Sequence, residues 1–328
     1  MDFRTIIEIS DPGFKIGYSD PVLLIGSCFA EEIGASFARG KMDVIVNPFG
    51  VLYNPFSVAE CIDLLLSDKP FSEKDLFFFD GKYLSFKHDT YFSSPDQSEM
   101  LTVINNSLAK AREFLNRSRV LIITFGTSWF YRWRETGSVV ANCHKIPESK
   151  FIRELADPAE MKKNWDRLIH RLLKRFGNLN IILTVSPVRH LKDGAHGNQI
   201  SKSNLLLLVN ELIETDPRIG YFPSYEIVLD ELRDYRFYQD DMIHPSGLAV
   251  GYIWSRFKSA YFTEKSSRIY DEIAKISAST KHRLLTTNTV EIKKFADSML
   301  SKIRIIQSKY PHIDLTREIQ YFESLSST

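Results

Sequence analysis

The sequence predicts an α/β fold in which a mostly parallel sheet lies between two layers of helices. Short apolar runs bounded by Gly, Pro or Asn recur along the chain, and segments with apolar residues at three-and-four spacing alternate with them. Such alternation gives parallel strands joined by crossover helices, with both faces of the sheet covered. The 328 residues are 44% apolar and include 23 Phe and 14 Tyr, enough to fill that core and to exclude a disordered chain.

The strand candidates are 22–25, ending at Gly26; 43–46, ending at Asn47-Pro48; 119–125, the strongest, ending at Gly126; 180–185, ending at Ser186-Pro187; and a weaker fifth at 226–229. The clearest helix runs over 161–176, where Met161, Trp165, Leu168, Ile169, Leu172, Leu173 and Phe176 share one face. Less regular patterns place helices at 28–39, 56–66, 98–117 and 201–215. Two stretches interrupt the alternation. The first, within 70–97, reads as a hairpin, because Asp80-Gly81 suits a two-residue turn between 76–79 and 82–86. The second, 131–157, is polar and without a clear period. Both are candidate rims over a site. From 265 to 328 the pattern is helical, with no glycine after Gly251, and reads as an extension packed on an α/β domain of residues 1–264 or as a partner-binding arm.

Charge and cysteine narrow the function. Forty-two basic against 41 acidic residues leave a net charge of +1, so no global field holds nucleic acid or an anionic membrane. Cys28, Cys61 and Cys143 are too scattered for a disulfide framework and form no zinc pattern. Residues 1–4 do not open a secretory signal, and no apolar run reaches the ~20 residues of a membrane span. A cytoplasmic protein is expected, and no nucleotide or zinc motif occurs.

In parallel sheets, ligands bind beyond the carboxyl ends of the strands. Ser27 lies there, between the first strand and the first helix. A serine at that junction can act as a nucleophile, with its N–H helping to hold an oxyanion; it is equally a favoured helix N-cap. Asp241 and His244, three residues apart before a helix, can pair so that the carboxylate fixes the imidazole tautomer. A solvated turn with helix-start chemistry fits the same residues. Gly50 and Gly126-Thr127-Ser128 follow strands and can supply donors, although turn geometry alone explains any one glycine. Arg189 and His190, after the fourth strand, and His88, after the hairpin, are candidate substrate contacts. Cys28, at a helix start, is a second candidate nucleophile, with its side chain expected to turn toward the core. Asn142-Cys143-His144 offers no Cys–His pair if extended, because adjacent side chains then point opposite ways.

The motifs Gly26-Ser27-Cys28-Phe29-Ala30, Asn47-Pro48-Phe49-Gly50, Thr124-Phe125-Gly126-Thr127, Ala141-Asn142-Cys143-His144-Lys145, Ser186-Pro187-Val188-Arg189-His190, Phe222-Pro223-Ser224-Tyr225-Glu226 and Asp241-Met242-Ile243-His244-Pro245-Ser246 together resemble the GSCFA family. That family is grouped with the SGNH (GDSL-type) hydrolases. The resemblance implies a flavodoxin-like three-layer α/β/α sandwich, an SGNH hydrolase-like fold, over roughly residues 20–260. It implies Ser27 as nucleophile, Asp241 and His244 as its triad partners, and the N–H groups of Ser27 and Gly50 as oxyanion donors. The sequence departs from the SGNH pattern at Gly126-Thr127-Ser128-Trp129, where those enzymes usually carry Gly-x-Asn-Asp. Thr127 is then the first choice for the third donor and Ser128 the second. The expected activity is hydrolysis of a carboxylic ester, with a small acyl group on a carbohydrate-like alcohol, and with no metal or organic cofactor. Acyl transfer by the same triad is the nearest alternative, and a non-catalytic binding protein is another.

Overall fold

The computed structural model describes residues 5–281, 288–311 and 313–326. The reading of residues 1–4, and the parts of the helical extension at 282–287, 312 and 327–328, lie outside these.

Strand β1 (Val22–Gly26) leads into helix α1 (Cys28–Arg39), β2 (Val44–Val46) and α2 (Pro55–Leu66). The hairpin β3 (Phe77–Phe79) and β4 (Lys82–Leu84) turns through Asp80 and Gly81, both at positive φ as an Asp-Gly turn requires. Then come α3 (Gln97–Arg117) and β5 (Val120–Phe125), followed by β6 (Trp129–Trp133), β7 (Val139–Val140) and β8 (Phe151–Leu155). The chain continues through α4 (Pro158–Arg175), β9 (Asn180–Val185), α5 (Gly194–Ile213), β10 (Ile219–Tyr221) and the short α6 (Ser224–Glu226). It ends with α7 (Gly247–Tyr261), α8 (Glu264–Ser279), α9 (Thr289–Lys309) and α10 (Thr316–Ser326).

The main sheet is parallel throughout, with strand order β10-β9-β5-β1-β2. Counted in chain order within that sheet, this is 2-1-3-4-5, the doubly wound order of flavodoxin. Alternate residues divide the core in two. Leu23, Ile25, Leu121, Ile123, Ile181 and Leu183 face α2 to α5, whereas Val22, Leu24, Val120, Ile122 and Ile182 face α1 and α7. Both faces are covered, which is why these strands read as continuous apolar runs. Helices α8 to α10 complete the second layer: Ile273, Ile303 and Phe322 share a cluster with Phe29 and Phe37 of α1. Tyr270 donates to Ser36 O at 2.9 Å and lays its ring over Gly40, where a Cβ would come within 2.1 Å of it. Among the described residues, no helix is long and apolar enough to cross a membrane.

Two expectations are corrected. The fifth strand is Ile219–Tyr221, not 226–229; that stretch is helical and continues into a π turn over Ile227–Glu231. Ile227 and Val228 are apolar because they pack under the second helical layer, and a short apolar run cannot by itself say which element it belongs to. The segment 131–157 falls largely within an antiparallel sheet of order β7-β6-β8, from Trp129 to Leu155, which pairs Trp129 with Leu155, Tyr131 with Arg153, and Trp133 with Phe151. Its alternation sets aromatic against charged residues. Arg153 lies 4.9 Å over the Tyr131 ring, and Arg132 lies 4.9 Å over Phe130 while pairing with Glu154 at 2.9 Å. Cross-strand pairs of this kind hold a sheet without an apolar run to announce it.

Candidate active site

Strand order reverses between β1 and β5, so the switch point of the sheet lies at Gly26-Ser27 and Gly126-Thr127. Gly26 has φ +148, and a Cβ there would come within 2.1 Å of Thr124 O, so the crossing requires glycine. Its N–H donates to Asn47 Oδ1 at 2.9 Å, tying β1 to the end of β2.

Ser27 takes the N-cap position of α1 but makes no capping hydrogen bond, unlike Asn54, Asp96, Asp157, Ser246 and Thr263 at their helices. Capping therefore does not account for it. Its side chain is fully buried, and Oγ has no partner among the described residues. The orientation at this junction is the reverse of the expected one. Cys28 lines a cavity of about 820 Å³, while Ser27 tucks beneath Gly126, whose missing side chain leaves room for it. Burial and Glu31 raise the Cys28 thiol above its ordinary pKa, against a pull downward from the Phe29 N–H and Lys202.

Asp241 and His244 come together as the sequence suggested. Met242 between them adopts φ +58, turning the loop sharply enough for Asp241 Oδ1 to accept the N–H groups of Ile243 and His244, both at 2.9 Å. Oδ2 accepts from His244 Nδ1 at 2.6 Å, fixing the hydrogen on that nitrogen and leaving Nε2 as the basic one. The His244 N–H first, and then its ring, hold the Asp241 carboxyl down at about 2. His244 lines the same cavity as Cys28. Ser27 Oγ makes no hydrogen bond to it in this structure.

The expected oxyanion donors are arranged differently. Ser27 N–H donates to Thr124 O at 3.0 Å, and Gly50 N–H donates to Asn47 O at 2.8 Å. Gly50 packs against Asp89 and faces a separate concavity. Ser128 is buried and bonded to Ser201 through both Oγ and N–H, whereas Thr127 lines the cavity with its hydroxyl 2.8 Å from Ser201 Oγ. His88 lies outside the cavity, among the rings of Phe49, Phe71 and Phe92 and 3.1 Å from Ser85 Oγ; burial lowers its pKa to about 3. His144 is not on an extended segment, since it and Lys145 have positive φ, and it bonds to Thr90 and to Ser85 O.

Arg189 and His190 do line the cavity. His190 Nε2 is buried and unpartnered; burial, then Lys202, Arg153 and His244, hold its pKa down at about 4, so the ring is neutral. Lys202, which sequence reasoning missed, is fully buried on α5 and donates to Gly126 O and Ser186 O, both at 2.6 Å. It pins together the turns after β5 and β9. The available signal was Asn198, Ser201 and Lys202 falling on the same buried face of α5 as Leu205.

A solved structure described as "a putative platelet activating factor from Streptococcus pneumonia" is similar to this chain at 11% identity, over 74% of this chain and 86% of that one, with a TM-score of 0.36. No curated protein matches the chain. Residues 273–326 match the GSCFA domain protein, C-terminal domain. Residues 21–257, the whole of the main sheet and the loop bearing Asp241 and His244, match the GSCFA family, and the chain belongs to that family.

Proposed function

We propose that this protein is a serine hydrolase of carboxylic esters, in which Ser27 attacks the acyl carbon, His244 takes the hydroxyl proton and returns it to the leaving alcohol, and Asp241 holds the imidazole. The observation that carries the reading is His244, held by Asp241, lining the same cavity, at the sheet's switch point, that the residue after Ser27 lines. The orphaned Ser27 hydroxyl supports it. A buried hydroxyl without a partner costs about 1–3 kcal/mol, and such groups call for a functional explanation. Hydrogen bonds of a catalytic set also tighten on substrate binding, and the reading requires Ser27 Oγ, buried in this structure, to turn toward the cavity that Cys28, Tyr53 and His190 line. The order of serine, glycine turns and Asp-x-x-His resembles the SGNH hydrolases and points the same way. No metal or organic cofactor enters the scheme.

Cys28 gives a second reading, because its thiol rather than the Ser27 hydroxyl lines the cavity. Its raised pKa disfavours the thiolate and ranks it behind Ser27. Turnover of p-nitrophenyl acetate separates the two. Ser27→Ala abolishes it and Cys28→Ala retains most of it if Ser27 is the nucleophile; the opposite pattern assigns the role to Cys28.

A further inference from the structure

The cavity is lined by hydrogen-bond donors, two of which lack acceptors among the described residues. Tyr131 stands opposite Arg153, which donates to the phenol oxygen, and Lys192 donates to the same oxygen at 2.9 Å. With two N–H donors already on that oxygen, the hydroxyl's remaining capacity is its own hydrogen, for which no acceptor occurs among the described residues. Arg189 Nε is buried without a partner, and Arg189 forms no ion pair among the described residues. Arg153 is answered by Asp193 and Lys192 by Glu148, yet the balance at the cavity remains positive. Lys145, Arg153, Arg189 and Lys192 line it against Glu148 alone, on a chain whose net charge is only +1.

We propose that the ester taken at this site carries an oxyanionic group, a carboxylate or a phosphate, seated against Tyr131, Arg189 and Lys192. This rests on the ester-hydrolase reading above. A carboxylate or phosphate is acceptor-only and can receive the Tyr131 and Arg189 hydrogens together, in charge-assisted bonds that a neutral alcohol or alkyl chain cannot match. The insertion after β5 is then the specificity element of the site. It delivers Tyr131 and Arg153 to the cavity, and the turn after β9 delivers Arg189 and Lys192.

The test compares two esters of equal chain length, mono-p-nitrophenyl succinate and p-nitrophenyl butyrate, with the full chain. We expect kcat/KM to favour the succinate by about tenfold or more, the scale of one hydrogen bond to a charged group. In Tyr131→Phe and Arg189→Ala the ratio falls toward one, mainly through KM for the succinate. A ratio of one in the unaltered protein, or a ratio that neither substitution changes, overturns the proposal. Calorimetric titration with succinate and with inorganic phosphate reads the anion site without turnover and tells the two anions apart. Binding weakened about tenfold in Arg189→Ala supports the site even if neither ester is hydrolysed, in which case only the catalytic reading fails. No binding of either anion overturns the site.

Discussion

Ser27 and His190 face each other across a missing side chain: Ser27 Cβ and His190 Nε2 each lie 3.3 Å from the point where a Cβ on Gly126 would stand. Ser27 Oγ and His190 Nε2 are both buried and, among the described residues, both unpartnered. Two unsatisfied polar atoms thus lie around one glycine at the switch point of a doubly wound sheet.

Filling that gap tests its importance. In Gly126→Ala the new methyl meets Tyr53 O at 3.1 Å as well as the serine and the histidine, so the neighbours must give way by a few tenths of an ångström. Overpacking of this kind costs about 1–3 kcal/mol. We expect an unfolding free energy lower by that amount, read from urea denaturation, together with at least a roughly tenfold loss of esterase kcat, the effect of a small misplacement in a site that depends on position. Unchanged turnover would separate the glycine from catalysis.

Lys202 couples the site to pH on the alkaline side. Burial holds its pKa down at about 7, against an ordinary 10.5, and a neutral amine has two hydrogens for its two carbonyl partners. Between those values the unfolded chain binds a proton that the folded chain does not, so Lys202 contributes a rise in stability with pH across the window. Lys202→Met leaves Gly126 O and Ser186 O without donors, at a cost of about 1–3 kcal/mol, and abolishes the rise. Denaturation curves at pH 7, 8.5 and 10 check both; a rise that persists in the variant contradicts the assignment.

His88 and His190 act on the acid side. Burial lowers them from 6.5 to about 3 and about 4, so the unfolded chain takes up protons first as pH falls below 6.5. Their contribution to stability is full above that value and is lost through the window. His88→Leu, which keeps an apolar group among the three phenylalanines, flattens the decline between pH 6.5 and 4. An unaltered slope, read from denaturant midpoints, would show that the His88 ring titrates normally.

Much of this was legible in the sequence because it depends on local pattern. The limits of α1 and β9 are as read from hydrophobic spacing, and the Asp241–His244 pair follows from two residues in one turn. What escaped depends on distant partners. Which of Ser27 and Cys28 faces the cavity is decided by the backbone at Gly26 and by the empty space at Gly126, just after a different strand. Gly50 follows a strand as expected, yet Asn47 turns its N–H inward, and nothing in the spacing of Asn47-Pro48-Phe49-Gly50 shows that. The sheet holding Tyr131 and Arg153 is built from aromatic–guanidinium pairs across strands, which hydrophobic periodicity does not register.

The central claim is that the alcohol of Ser27 forms the acyl bond. Treating the protein with a fluorophosphonate and locating the adduct by mass spectrometry of its peptides tests this directly. One adduct is expected, on Ser27, with parallel loss of ester turnover. An adduct on any other residue, or none in a preparation that hydrolyses esters, would contradict it.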